Sequence, residues 1–219
     1  MQALTEFQER EYQSRSLIAN LPDEVQALPF WREFVSGSLA GKLSLPFYSL
    51  HKPKKNENCF YMGCGPSFLT DPWAEWGANF YGLDLSTTLA RAVRARAPQL
   101  NGKLFKSLDQ GYPHDLERYS IGQFDTVIAG GFSAYVPQDY NERVLREVKR
   151  ILKPGGLLLW EGVDPESSWF EDWSIGQMYR GLEVNDTLIA DWRTLFDSFG
   201  KVQKQESGEL FTWWLVQRS

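Results

Sequence analysis

Sulfur and imidazole are both scarce in this chain of 219 residues, which has two cysteines, Cys59 and Cys64, and two histidines, His51 and His114. So few soft ligands argue against a zinc knuckle and predict no bound metal. Cys59 and Cys64 fall along an expected strand and its turn. At roughly 3.3 Å per residue they lie beyond the ~7 Å reach of a disulfide, so two free thiols are expected. Positive charge is also in deficit: 23 Lys and Arg stand against 28 Asp and Glu, for a net charge of −5. That balance argues against a general surface for the phosphate backbone, and nucleic acid is not an expected partner. No run of about 18 apolar residues offers a membrane span, and Met1 to Arg10 lacks the apolar centre of a signal peptide. A cytoplasmic protein without membrane contact is the expectation. Internal repeats, low-complexity tracts and obvious interdomain linkers are absent as well.

What is present is a composition that is 42% hydrophobic and 15% aromatic, enough to bury a large core in one α/β domain of common size. Its most informative stretch is Cys59-Phe60-Tyr61-Met62-Gly63-Cys64-Gly65-Pro66-Ser67, followed by Phe80-Tyr81-Gly82-Leu83-Asp84-Leu85-Ser86. An apolar strand running into a glycine turn, then a second strand ending in a carboxylate, is how open α/β sheets hold an adenosine ribose. Gly63 and Gly65 tolerate backbone angles closed to other residues and leave no side chain between main chain and ligand. The Asp84 carboxylate can accept two hydrogen bonds from a ribose diol. The plainer alternatives are a strand-to-helix turn for the glycines and a helix cap for Asp84.

Along the chain, residues 1–55 read as an N-terminal cap, with a polar helix from Glu6 to Ile18 and an aromatic segment from Leu28 to Phe34. Residues 56–219 read as a core of alternating strands and helices. Strands are expected at 58–62, 79–84, 103–108, 124–129 and 157–161, and helices at 70–76, 87–97, 140–152 and 188–199. Ser86 is the expected cap of the 87–97 helix and Pro98 its stop. This alternation predicts a parallel sheet. The chain then ends differently, because Lys201 to Glu206 and Leu210 to Gln217 are joined by Ser207-Gly208-Glu209 alone. A linker that short makes the two runs antiparallel neighbours.

Taken in order, Gly63-Cys64-Gly65-Pro66, Gly82-Leu83-Asp84-Leu85-Ser86, Gln123-Phe124-Asp125-Thr126-Val127-Ile128 and Arg150-Ile151-Leu152-Lys153-Pro154-Gly155-Gly156 resemble the motif series of class I S-adenosylmethionine-dependent methyltransferases. The resemblance spans residues 56–219. It implies a Rossmann-like α/β fold, a seven-stranded sheet of order 3-2-1-4-5-7-6 with strand 7 antiparallel and helices on both faces. It also implies S-adenosylmethionine as cofactor and a small-molecule methyl acceptor. By the same resemblance, Tyr61, Met62, Gly63, Cys64 and Gly65 would face the methionine part of the cofactor, and Asp84 would take the ribose with Leu85 beside the adenine. Asp109 and Gln110 would lie near the adenine amino group, and Gly130, Gly131 and Phe132 under the sulfonium. Two positions depart from the family pattern. Tyr61 stands where an acidic residue is common, which removes a charged contact to the cofactor amino group, and Ser67 stands where a glycine is common.

Methyl transfer from a sulfonium is an in-line displacement, so the protein must align the acceptor, exclude water and, where needed, remove a proton. Candidate catalytic groups are few: Tyr135, after the 124–129 strand, and His51 in the cap, each with a structural alternative. Glu161 and Asp164 close the 157–161 strand at the carboxyl edge and are placed to orient a polar acceptor or simply to be solvated. The aromatic residues of the cap (Phe30, Trp31, Phe34, Phe47, Tyr48) and of segment 160–186 (Trp160, Trp169, Phe170, Trp173, Tyr179) either wall an acceptor pocket or dock the cap. Three other functions share parts of this pattern: a nicotinamide oxidoreductase, which Phe68 at the third-glycine position disfavours; another transferase such as an aminopropyl transferase; and a non-catalytic partner subunit.

Overall fold

The computed structural model describes residues 1–13, 21–96 and 102–219. In chain order its elements are α1 (Gln2–Gln13), α2 (Asp23–Gln26), α3 (Pro29–Ser36), β1 (Asn58–Met62), α4 (Trp73–Trp76), β2 (Asn79–Asp84), α5 (Thr87–Arg96) and β3 (Phe105–Gln110). After them come β4 (Phe124–Ala129), α6 (Gln138–Ile151), β5 (Leu152–Val163), α7 (Phe170–Tyr179), α8 (Ile189–Asp197), β6 (Gly200–Ser207) and β7 (Phe211–Arg218). The seven strands form one sheet in the order 3-2-1-4-5-7-6. β3, β2, β1, β4 and β5 are parallel, and β7 runs antiparallel to both β5 and β6. The expected sheet is therefore the observed one. Among the described residues no helix is long and apolar enough to cross a membrane.

Strand alternation divides the core into two layers. Phe60 and Met62 of β1, Val127 of β4, Trp160 of β5 and Trp214 of β7 point to one face, where α6 and α8 cover them with Val144, Val148, Trp192 and Phe196. Cys59, Tyr61, Ile128, Leu159 and Trp213 point to the other, under Trp73 of α4, Leu89 and Val93 of α5, and Phe47 of the cap. β7 lies inside the sheet between β5 and β6, and both its faces are covered, Trp214 and Val216 by one layer and Trp213 and Leu215 by the other. Both cysteines are free and buried.

The element boundaries differ from expectation in instructive places. Instead of one helix over 70–76, a 3-10 turn at Pro66–Leu69 is followed by the single turn α4, since Pro72 supplies no amide to a helix continuing through it. β3 starts two residues later than expected. β5 begins five residues earlier, with Lys153-Pro154-Gly155-Gly156 inside the strand and Gly155 at φ +73°. α5 ends at Arg96; the expected extension to Ala97 and the Pro98 stop lie outside the described residues, as does the stretch 14–18 of the expected first helix. Ser86 caps α5 as expected, its hydroxyl accepting the Leu89 amide at 3.0 Å.

The N-terminal segment meets the core at two places. Leu4 of α1 is buried in the layer that holds Leu83 and Leu85, and Glu9 accepts the amides of Thr87 and Thr88 at the start of α5. α3 packs on α7 through Phe30, Trp31 and Trp173, where the Phe30 amide donates to Asp172 at 3.1 Å and the Trp31 indole to the Asp172 carbonyl at 2.9 Å. These cap aromatics are thus docking residues, and Trp160 is wholly inside the core.

Candidate active site

The carboxyl ends of β1, β2 and β4 come together as two interlocked turns. The Gly63 amide donates to the Leu83 carbonyl at 2.9 Å, and the Gly130 amide donates to the Met62 carbonyl at 3.2 Å. Gly63 sits at φ +65°, and a Cβ there would lie 2.1 Å from the Gly130 carbonyl oxygen, so β1 and β4 approach as closely as bare backbone permits. Gly65, at φ 53° and ψ −161°, occupies a region essentially closed to other residues. Phe132, buried, lays its ring against Gly63.

Asp84 is the hub of this edge. It is 2% exposed; one carboxylate oxygen accepts the Gly65 amide at 3.0 Å and the other the Ser86 amide at 2.9 Å. Burial pushes its pKa up while these two amides pull it back. A carboxylate has about four lone-pair sites, so each oxygen keeps one to accept from a diol hydroxyl, and the acceptor pair fits a ribose. Met62 and Leu85 are buried beside it. Cys64, also buried, has its thiol pKa raised by burial and by the Asp84 charge, which suits a small turn residue and not a nucleophile.

The two β3 candidates divide their roles. Asp109 accepts the Tyr119 hydroxyl at 2.8 Å and the Ser107 hydroxyl at 3.1 Å, ties internal to the core. Gln110 is exposed, pairs with Asp84 across the sheet, and donates to the Leu85 carbonyl at 3.3 Å. His51 is not brought to this edge. It lies 3.8 Å from Glu57, at the amino end of β1, with its pKa lowered first by burial. His114 follows β3 and hydrogen-bonds the Tyr140 hydroxyl at 2.7 Å.

Beyond Gly131 the site brings the expected candidates Glu161 and Tyr135 together with Ser44 and Trp213, which local sequence does not mark. Glu161 of β5 accepts the Gly131 amide at 2.9 Å and the Ser44 hydroxyl at 2.7 Å, and Ser44 accepts the Trp213 indole at 2.9 Å. Burial raises the Glu161 pKa. Tyr135 and Glu161 line one small cavity with Gly131, Phe132, Ser133 and Phe211. Tyr61, buried against Phe47, lies beside Ser67, so the two departures from the family pattern touch; burial and then the Glu161 charge raise its phenol pKa.

Asp71 is a further, half-buried carboxyl close to Tyr61 and Cys64, and its buried oxygen has no hydrogen-bond partner among the described residues. Burial raises its pKa from 3.8 to about 6. Between those values the folded state holds a proton that the unfolded chain has released, so this group lowers stability as pH rises through the window. Asp71→Asn removes that slope. Relative to the wild type, the variant should gain about 2 kcal/mol, or roughly 4 to 8 °C of melting temperature, between pH 4 and pH 7. Parallel melting curves for the two proteins would mean that Asp71 is solvated.

Residues 60–160 match the family described as Methyltransferase domain. A ubiquinone biosynthesis O-methyltransferase of Pseudomonas aeruginosa is 32% identical over 95 residues, which are 43% of this chain and 39% of that protein. Chondramide synthase cmdD of Chondromyces crocatus is 32% identical over 112 residues, 49% of this chain and 3% of that protein. The chain thus spans well under half the length of these curated relatives. The crystal structure of magnesium protoporphyrin IX methyltransferase from Synechocystis PCC 6803, with bound SAH, superposes with a TM-score of 0.63 over 98% of this chain and 95% of that one. At 17% identity that likeness is one of fold. Motif order, sheet topology and the domain matched over residues 60–160 agree, and together they support the class I S-adenosylmethionine-dependent methyltransferase family for this chain.

Proposed function

We propose that this chain is an S-adenosylmethionine-dependent methyltransferase acting on a small-molecule acceptor. The observation that carries this reading is the Asp84 carboxylate, pinned by the Gly65 and Ser86 amides where two glycine turns meet. Asp84 would hold the ribose, Leu85 and Gln110 would border the adenine, and the bare backbone of Gly63, Gly65, Gly130 and Gly131 would border the methionine part. The bound cofactor would supply an electrophilic methyl group. The protein's share is alignment and exclusion of water, for which the buried Phe132 and the docked cap are suited. Residues 1–55 act as the cap in this reading. Because Leu4 and Glu9 hold α1 over the Asp84 edge, binding there is coupled to the position of α1. The activities for which the ubiquinone biosynthesis O-methyltransferase and the magnesium protoporphyrin IX methyltransferase are named support a small-molecule acceptor.

Calorimetry of the full chain tests the reading. S-adenosylmethionine and S-adenosylhomocysteine should give saturable heat with one site per chain, and NADH none. Absence of heat with both sulfur compounds would favour a non-catalytic partner of the same fold, and heat with NADH an oxidoreductase.

A further inference from the structure

Glu161 is a half-buried carboxylate that lacks a countercharge. Its oxygens accept the Gly131 amide and the Ser44 hydroxyl, yet among the described residues no Lys, Arg or His forms an ion pair with it. The phenols that face it, Tyr61 and Tyr135, are both kept neutral by burial. Arg180, whose charge acts on Tyr135, is held by Glu11 at 2.7 Å. A carboxylate partly withdrawn from water with no cation beside it is left uncompensated, and a cationic ligand offsets that cost.

The space beside this carboxylate is a cavity of about 80 Å³, walled by Phe132, Tyr135 and Phe211 and floored by Gly131 and Ser133. It holds roughly six water-sized positions, room for a compact head group. Aromatic walls with one carboxylate favour a cation over a neutral or anionic group. Tyr135 lines the same cavity, and Ser133 borders it too.

The geometry points to an amine-bearing methyl acceptor, whose protonated nitrogen seats in this cavity against Glu161 and beside Tyr135. The inference rests on the methyltransferase reading of the preceding subsection. Inside the cavity the bound ammonium can pass one proton to the Glu161 carboxylate, leaving a neutral nitrogen lone pair and a carboxylic acid. Burial, which favours the neutral form of Glu161, works in that direction.

The test uses the full chain and matched probes, benzylamine against benzyl alcohol and ethylamine against ethanol. It follows the Gly131 amide by nuclear magnetic resonance and measures binding of each probe by titration. Each amine should shift the Gly131 amide saturably and bind at least tenfold more tightly than its alcohol. Glu161→Gln should abolish that preference. Should that variant fail to fold, Tyr135→Phe carries the test, with an expected severalfold loss of amine affinity. Equal binding of amine and alcohol would overturn the inference, as would a preference that survives Glu161→Gln. So would a Glu161→Gln variant that loses affinity for S-adenosylmethionine and keeps the amine preference. Wild-type protein that prefers amines but gives no heat with S-adenosylmethionine would instead count against the methyltransferase reading itself.

Discussion

Gly63→Ala should destabilise the protein by at least about 4 kcal/mol, a magnitude reached only through a few specific mechanisms. Two of them act together here. A β-carbon at Gly63 would lie 2.1 Å from the Gly130 carbonyl oxygen, a backbone atom that no rotamer change can remove. The residue also sits at φ +65°, where an L side chain costs roughly 1 to 2 kcal/mol on its own. Relief would require β1 and β4 to separate, and they are tied at that point by the Gly130 amide on Met62, while the Gly63 amide holds the end of β1 to Leu83 of β2. At about 2 to 4 °C per kcal/mol for a chain of this size, the melting temperature should fall by roughly 8 to 16 °C. Gly181→Ala supplies the contrast. It too has a positive φ, +84°, but nothing lies within 4 Å of the added carbon, so only the conformational cost of about 1 to 2 kcal/mol applies. Thermal and urea unfolding of both variants should separate them clearly. Equal losses would mean that β1 and β4 yield easily and that the close approach is not a structural constraint.

The same residues show which parts of this molecule the sequence displays. β1, β2 and β4 coincide with their expected spans, because each is an apolar run with a sharp punctuation at its carboxyl end: a glycine turn after β1 and β4, a cap-forming serine after β2. The antiparallel end of the sheet was equally legible, since three residues cannot make a crossover. Several family-motif residues prove to be fasteners. Asp125 accepts the Asn58 amide at 2.9 Å and the Lys153 ammonium at 2.5 Å, and Arg150 donates to the carbonyls of Tyr119 and Leu116. α7 was missed because it has little amphipathic pattern: it is gripped by the cap through Trp173 and Gly176 and exposes Met178 and Tyr179 at its end. Only Gly176 admits the Trp31 ring, which would touch an added carbon at 2.1 Å. The Glu161, Ser44 and Trp213 chain was illegible for another reason. Its members come from β5, the cap and β7, and no local spacing records an encounter among three distant segments.

Asp84→Asn should lower both stability and cofactor affinity, by separate mechanisms that two measurements can tell apart. The carboxylate accepts two backbone amides, from Gly65 and Ser86, one on each oxygen. Asparagine offers one oxygen and one NH2 group, so one amide would face another donor in a site only 2% exposed. Losing a charge-assisted bond and burying an unpaired amide should cost about 2 to 3 kcal/mol in urea unfolding. The loss should be largest below the ordinary carboxylate pKa and should shrink as pH rises from there through the raised folded-state pKa. Burial raises the folded-state pKa of Asp84, so ionisation costs the wild type stability as pH climbs through that pKa, and the variant has no such cost. Affinity for S-adenosylmethionine, measured by calorimetry on fully folded variant, should fall by about 1 to 3 kcal/mol as the diol loses a charged acceptor. If stability fell by the expected amount while the dissociation constant stayed at the wild-type value, Asp84 would be a fastener between two turns and nothing more. The ribose would then have to be held elsewhere, with the exposed Gln110 on the neighbouring strand the next residue to replace.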